Sequence, residues 1–140
     1  MAAFVLHEHS GYGPVHYDLM LSHGEALATW RVEAPPAALA EACLPACGKE
    51  AGPAGKQVRE LPARRLPDHR AAYLSYEGLV SDGRGQVKML DAGGYELLSE
   101  SPLRWEIVLH GRLLAGRWEL VRDDQGADRW TLRRLSPAGP

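Results

Sequence analysis

His9, His16 and Asp18 fall within ten residues of one another and are the side chains of this sequence best suited to chemistry. Neutral imidazole nitrogen and carboxylate oxygen suit zinc, manganese and related divalent ions, and three protein ligands leave positions open for water and substrate. Such a site points to hydrolysis. His7 sits two residues before His9, so in an extended strand both point to one face, and spacing leaves open which of them reaches an ion. A second cluster, Asp68-His69-Arg70 with Tyr73 and Tyr76-Glu77-Gly78, places a histidine and a phenol four residues apart among arginines. That combination can hold a phosphate, protonate its leaving group and stabilise developing charge. The competing reading makes His9 and His16 ordinary histidines, Asp68 a turn acceptor, and Tyr73 and Tyr76 barrel-wall packing. His23, in a hairpin turn, and His110, beside Gly111, read as solvated.

Strands must position these groups. Ala3 to His9 reads as a strand, and Gly11-Tyr12-Gly13-Pro14 is turn chemistry that reverses the chain. From Val15 to Ser22 the apolar Val15, Tyr17, Leu19 and Leu21 alternate with His16, Asp18, Met20 and Ser22, the period of a half-buried strand. His16 and Asp18 therefore share a face. Glu25 to Val32 continues an antiparallel meander. Pro35 and Pro36 end it, and Ala37 to Ala46, rich in Ala and Leu behind a leading proline, reads as one helix. Cys47 to Gly55 reads as a loop and Gln57 to Leu61 as a strand that Pro62 and Pro67 interrupt. That Pro-bounded stretch carries Arg59, Arg64, Arg65 and Arg70.

Further strands are expected at Tyr73 to Val80, Gln86 to Leu90, Tyr95 to Leu98, Arg104 to Leu109, Arg117 to Val121 and Trp130 to Leu135. Asp82-Gly83 and Ala92-Gly93-Gly94 read as turns between them, and Gly83-Arg84-Gly85 as a hairpin turn rather than a phosphate loop. Trp30, Trp105, Trp118 and Trp130 each fall in a strand and are expected in the core. The fold class is mainly β: a compact antiparallel β-barrel with one or two short flanking helices.

The chain has 140 residues, the size of one domain, and residues 1–140 are read as one. With 45% hydrophobic and 24% charged residues it falls outside the disordered and fibrous classes. A net charge of -2 excludes a protein that coats nucleic acid through overall basicity, so a polyanion site must be local. Only three of the sixteen basic residues are Lys, and Arg suits two-pronged phosphate contact. Cys43 and Cys47 are too few for a disulfide framework and are expected reduced, facing the helix packing surface. No apolar stretch approaches membrane-spanning length, and a soluble, cytoplasmic monomer is expected.

On these residues the chain resembles the phosphoesterase domain family of bacterial DNA ligase D, which trims 3' ends during end joining of broken DNA. The resemblance runs through Phe4-Val5-Leu6-His7-Glu8-His9, His16-Tyr17-Asp18-Leu19 and Trp30. It resumes at Asp68-His69, Tyr73 and Tyr76-Glu77-Gly78, then at Gly83-Arg84-Gly85-Gln86-Val87 with Asp91, Gly93 and Tyr95. It closes with Gly116-Arg117-Trp118-Glu119-Leu120-Val121-Arg122 and Trp130-Thr131-Leu132. The resemblance implies that His9, His16 and Asp18 hold a manganese-type ion, with zinc or cobalt as alternatives, and that His69 and Tyr73 contact the scissile phosphate from the other side. It implies a barrel with the site in a concave pocket. The implied activity is a metal-dependent 3'-phosphoesterase that removes a 3'-terminal ribonucleotide or a 3'-phosphate in DNA repair.

Two departures stand out. Where the family usually has an Arg two residues after the Asp of its His-Tyr-Asp motif, this chain has Met20, which cannot neutralise phosphate. The acidic residue common two positions before His69 is Pro67, and the usual following Pro is Arg70. Arg70, Arg64 or Arg65 is the expected replacement cation. The family domain is normally fused to polymerase and ligase domains, so this chain reads as a stand-alone version whose partners are nucleic-acid 3' ends and separate ligase, polymerase and end-joining proteins. Alternatives are a catalytically weakened metal-containing module that binds nucleic-acid ends or a repair partner, and a hydrolase of small phosphorylated metabolites.

Overall fold

The computed structural model describes residues 2–43, 60–123 and 128–136. Its strands are β1 (Ala3–Ser10), β2 (His16–His23), β3 (Ala26–Val32), β4 (Glu60–Arg70), β5 (Gly78–Leu79), β6 (Gln86–Glu100), β7 (Arg104–His110), β8 (Ala115–Arg122) and β9 (Arg129–Ser136). The helix α1 spans Pro36–Cys43, and short 3-10 turns cover Ala71–Leu74 and Ser81–Gly83. The sheet runs β1-β2-β3-β4-β9-β8-β7-β6-β5, and β1 also pairs with β6. Eight strands thus close an antiparallel barrel, with the two-residue β5 alongside the start of β6. The mainly β, barrel reading of the sequence is what the structure shows.

Alternation along each strand divides the side chains between two faces. Leu6, Leu19, Trp30, Trp118, Leu120 and Leu132 fill the interior, joined by Trp105, Trp130 and, from α1, Leu39 and Ala42. Burying such a side chain contributes about 1.5–3 kcal/mol, so this interior supplies most of the driving force for folding. On the outer face of β1, β2 and β3 a smaller apolar group forms: Val5, Met20 and Leu27, with Tyr73, Leu74 and Met89 packed against it. Residues 16–21 of β2 are consequently buried on both faces, not on one as the alternation suggested. The segment around the first 3-10 turn covers the outside.

Three local expectations give way. Pro62 and Pro67 do not interrupt a strand; both lie inside the eleven-residue β4. Pro67 falls at an irregularity where Leu66 pairs with Thr29 and His69 with Leu27, a bulge in which its missing N–H costs no ladder bond. Ala92-Gly93-Gly94 is not a turn, because β6 runs straight through it for fifteen residues, leaving β1 and joining β7. Gly93 is there for close approach: a Cβ on it would come within 2.3 Å of the His110 carbonyl oxygen. Tyr73 to Val80 is a 3-10 turn plus β5, since Tyr73 and Leu74 leave the sheet to cover the outer cluster. The expected helix Ala37 to Ala46 is described as Pro36–Cys43. The expected loop Cys47 to Gly55, the start of the strand at Gln57, Arg59, Cys47 and the Cys43 side chain lie outside the described residues. Among the described residues no helix is long and apolar enough to cross a membrane.

Candidate metal and phosphate site

Register places the first cluster. The β1–β2 ladder sets His9 opposite His16 and His7 opposite Asp18, and the β2–β3 ladder sets Asp18 opposite Arg31. All five side chains point to the outer face. His9, His16 and Asp18 bring ligand atoms within 4.8 Å of one another, and the two imidazole rings are 4.7 Å apart. Residues behind them orient the rings. His9 Nε2 donates to the Arg84 carbonyl oxygen at 2.6 Å, leaving Nδ1 as its lone-pair nitrogen. His16 Nδ1 donates to the Pro14 carbonyl oxygen at 3.4 Å, leaving Nε2. Ring N–H groups held by backbone carbonyls are the usual support of metal-bound histidines.

The donor set fits a cation on a further observation. His16 Nε2 and Asp18 Oδ1 are buried, have no hydrogen-bond partner, and face each other at 3.7 Å. Two buried acceptors pointed at each other are unfavourable unless something positive lies between them. Burial also pushes the His16 imidazole below its ordinary 6.5; Asp18 opposes that and Arg31 adds to it. His7 is lowered in the same way by burial, against Asp18 and the Tyr76 backbone. The neutral ring is the form that binds a metal. Of the two candidates in β1, His9 belongs to the group of three, while His7 lies outside it with an unpartnered buried Nε2.

The second cluster shares a cleft of about 430 Å³ with His9 and Asp18 of the first. His7, His9, Asp18, Met20 and Arg31 line it together with Asp68, His69, Arg70, Tyr73 and Arg84. His69 Nδ1 donates to the Pro67 carbonyl oxygen at 3.0 Å, which leaves Nε2 available. Its ring meets Tyr73 edge-on at 5.9 Å, and Tyr73 meets Tyr76 at 5.6 Å. Tyr76 donates its hydroxyl to the Leu79 carbonyl, and Glu77 Oε2 accepts the Met89 N–H at 2.7 Å. Those two contacts anchor the segment that carries Tyr73. Gly85 makes a close approach possible: its φ is +80°, and a Cβ would fall 2.1 Å from the Ser10 carbonyl oxygen.

Of the expected replacement cations, Arg70 lines the cleft, with its guanidinium 5.8 Å from the Tyr73 ring. Arg64 and Arg65 do not. Arg64 is drawn to Asp128 at 2.9 Å and Glu33 at 3.7 Å. Arg65 lies 4.3 Å from the Trp30 ring, over the interior tryptophans, and pairs with Asp68 at 3.7 Å. Sequence reasoning missed Arg31 and Arg84. Arg31 had a signal, since a strand with Trp30 inward must send Arg31 to the face of Asp18. Arg84 acts on His9 through a carbonyl, which no side-chain pattern reveals. Asp91 serves structure: its carboxylate accepts the N–H groups of Ala92, Arg112, Leu113 and Leu114. His23 and His110 are exposed and pair with Glu100 and Glu96.

Fold and site together define a β-barrel domain with a candidate metal centre in an arginine-bearing cleft. Residues 6–122 match the DNA Ligase D 3'-phosphoesterase domain family, and the chain belongs to that family of hydrolases. No individual curated protein matches it.

Proposed function

We propose that this protein is a manganese-dependent 3'-phosphoesterase that removes a terminal ribonucleotide or a 3'-phosphate from nucleic-acid ends in DNA repair. His9 Nδ1, His16 Nε2 and an Asp18 oxygen would hold the ion. When bound, the ion polarises a phosphate oxygen and makes a water more acidic. His69, its ring oriented by Pro67, presents Nε2 to protonate the leaving oxygen. Tyr73 orients the phosphate through its hydroxyl, and Arg70 adds positive charge beside it. The buried, unpartnered pair of His16 Nε2 and Asp18 Oδ1 is the observation that carries this reading, because a cation satisfies both.

The test is release of phosphate from a 3'-phosphorylated primer-template, and of the terminal nucleoside from a primer ending in one ribonucleotide, with manganese and with chelator. Release that needs manganese is expected; no release with any divalent metal overturns the proposal. Simple phosphate esters as competitors distinguish a nucleic-acid enzyme from a hydrolase of small metabolites. A second reading, an end-binding module without turnover, draws on Met20, whose side chain is buried with Val5 and Leu27 where the resemblance leads one to expect an Arg. A large gain of turnover in Met20→Arg would favour it.

A further inference from the structure

We infer that Arg31 is the phosphate-holding cation of this cleft and does for the substrate what residue 20 cannot. The inference rests on the phosphoesterase reading above. Arg31 stands directly across the β2–β3 ladder from Asp18 and lines the cleft together with Met20. Its Nε is buried and has no hydrogen-bond partner. Arg64 and Arg65 are paired with carboxylates; Arg31 pairs with none among the described residues. Glu33, just past the end of β3, turns to Arg64 instead. Arg84 Nε donates to the Ser81 carbonyl oxygen at 2.9 Å, and Arg70, exposed at the end of β4 with its guanidinium 5.8 Å from the Tyr73 ring, adds charge at the rim while Arg31 stands next to Asp18. Arg31 also lines an adjacent trough of about 420 Å³ with Pro14, Val15 and Pro35.

An unpaired guanidinium beside an unpaired carboxylate is the arrangement that a metal-bound phosphate completes. The carboxylate goes to the cation, and the fork of N–H donors goes to the non-bridging phosphate oxygens. Met20 can neither donate nor carry charge, and its place on the apolar floor leaves that role to the next strand.

The test compares two 5'-fluorescent oligonucleotides, one ending in a 3'-phosphate and one in a 3'-hydroxyl, by anisotropy with manganese at low temperature. Wild type, Arg31→Met and Arg31→Lys are measured, with manganese affinity read separately by calorimetry. Wild type is expected to prefer the 3'-phosphate by about tenfold or more, and Arg31→Met to lose most of that preference. Arg31→Lys should fall between them, with manganese affinity unchanged in both variants. If Arg31→Met does not fold by thermal melting, Arg31→Gln takes its place. A wild-type preference that survives in the variant overturns the role of Arg31 and leaves the proposed function standing. Wild type without any preference overturns both.

Discussion

On the outer face of β7, β8 and β9 every carboxylate that leaves water finds arginines. Glu119 is held by Arg104 at 2.6 Å and by Arg133, and Glu106 by Arg104 at 3.0 Å and by Arg117. On the outer face of β1, β2 and β3 the equivalent positions are filled by His7, His16, Asp18 and Arg31, and each retains a buried polar atom with no partner. Both faces belong to one barrel, built from the same alternation. The first satisfies its charges internally and serves the fold. The second leaves groups unsatisfied, each at a cost of about 1–3 kcal/mol, which the proposed metal and phosphate would offset.

The contrast can be broken on either side. The largest effect is expected from Asp18→Ala: phosphate release should fall by about 100-fold or more, since even supporting groups around a metal matter by 10–100-fold. Manganese at 100 times its Kd should raise wild-type stability by about 2.7 kcal/mol and leave this variant unmoved. Without metal, the variant should melt no lower than wild type, because it removes a strained acceptor pair. A clear loss of metal-free stability would make Asp18 a structural residue like Glu119.

Glu119→Ala should do the reverse. Removing a carboxylate only 2% exposed leaves Arg104 with Glu106 and Arg133 with Glu60 as their remaining partners, at a cost of about 2–3 kcal/mol, because those partners and the exposure of the arginines soften the usual penalty. Denaturant unfolding measures it, and turnover per folded molecule should be unchanged. A smaller effect is expected from Gly85→Ala, which must push the Arg84 carbonyl away from His9. Manganese affinity should drop about tenfold in calorimetry, with the barrel intact by circular dichroism.

The two faces should also respond to acid in different windows. His7 and His16 are held below 6.5, so the metal-free folded protein binds fewer protons than the unfolded chain; their contribution is whole above 6.5 and lost as pH falls through the folded values. For Glu106, Arg117 and then Arg104 hold the carboxyl below its usual 4.5. Burial pushes Glu119 up, but Arg133 and Arg104 outweigh it and the net shift is downward. Stability from these glutamates persists to lower pH and is lost only below 4.5. His7→Gln should flatten the upper part of the metal-free stability profile and leave the lower part alone.

Much of the barrel was legible because alternation is a local signal. Val15 to Ser22 announced which side chains share a face, and Gly11 to Pro14 announced that the chain reverses between the first two strands. The errors came where glycine and proline serve contacts that are distant in sequence. Gly93 admits the backbone at His110, and Pro67 sits in a bulge against β3. Neither neighbour can be inferred from the flanking residues.

Local pattern was enough to set most of the strands, the inward tryptophans and the outward face shared by His16 and Asp18. Barrel closure and register were needed to bring His9 rather than His7 into the group of three, to pair Arg64 and Arg65 with carboxylates, and to set Arg31 across from Asp18. Facing is set by a period of two residues within a strand, whereas pairing is set by register and by which opposite charges the closed barrel brings within reach.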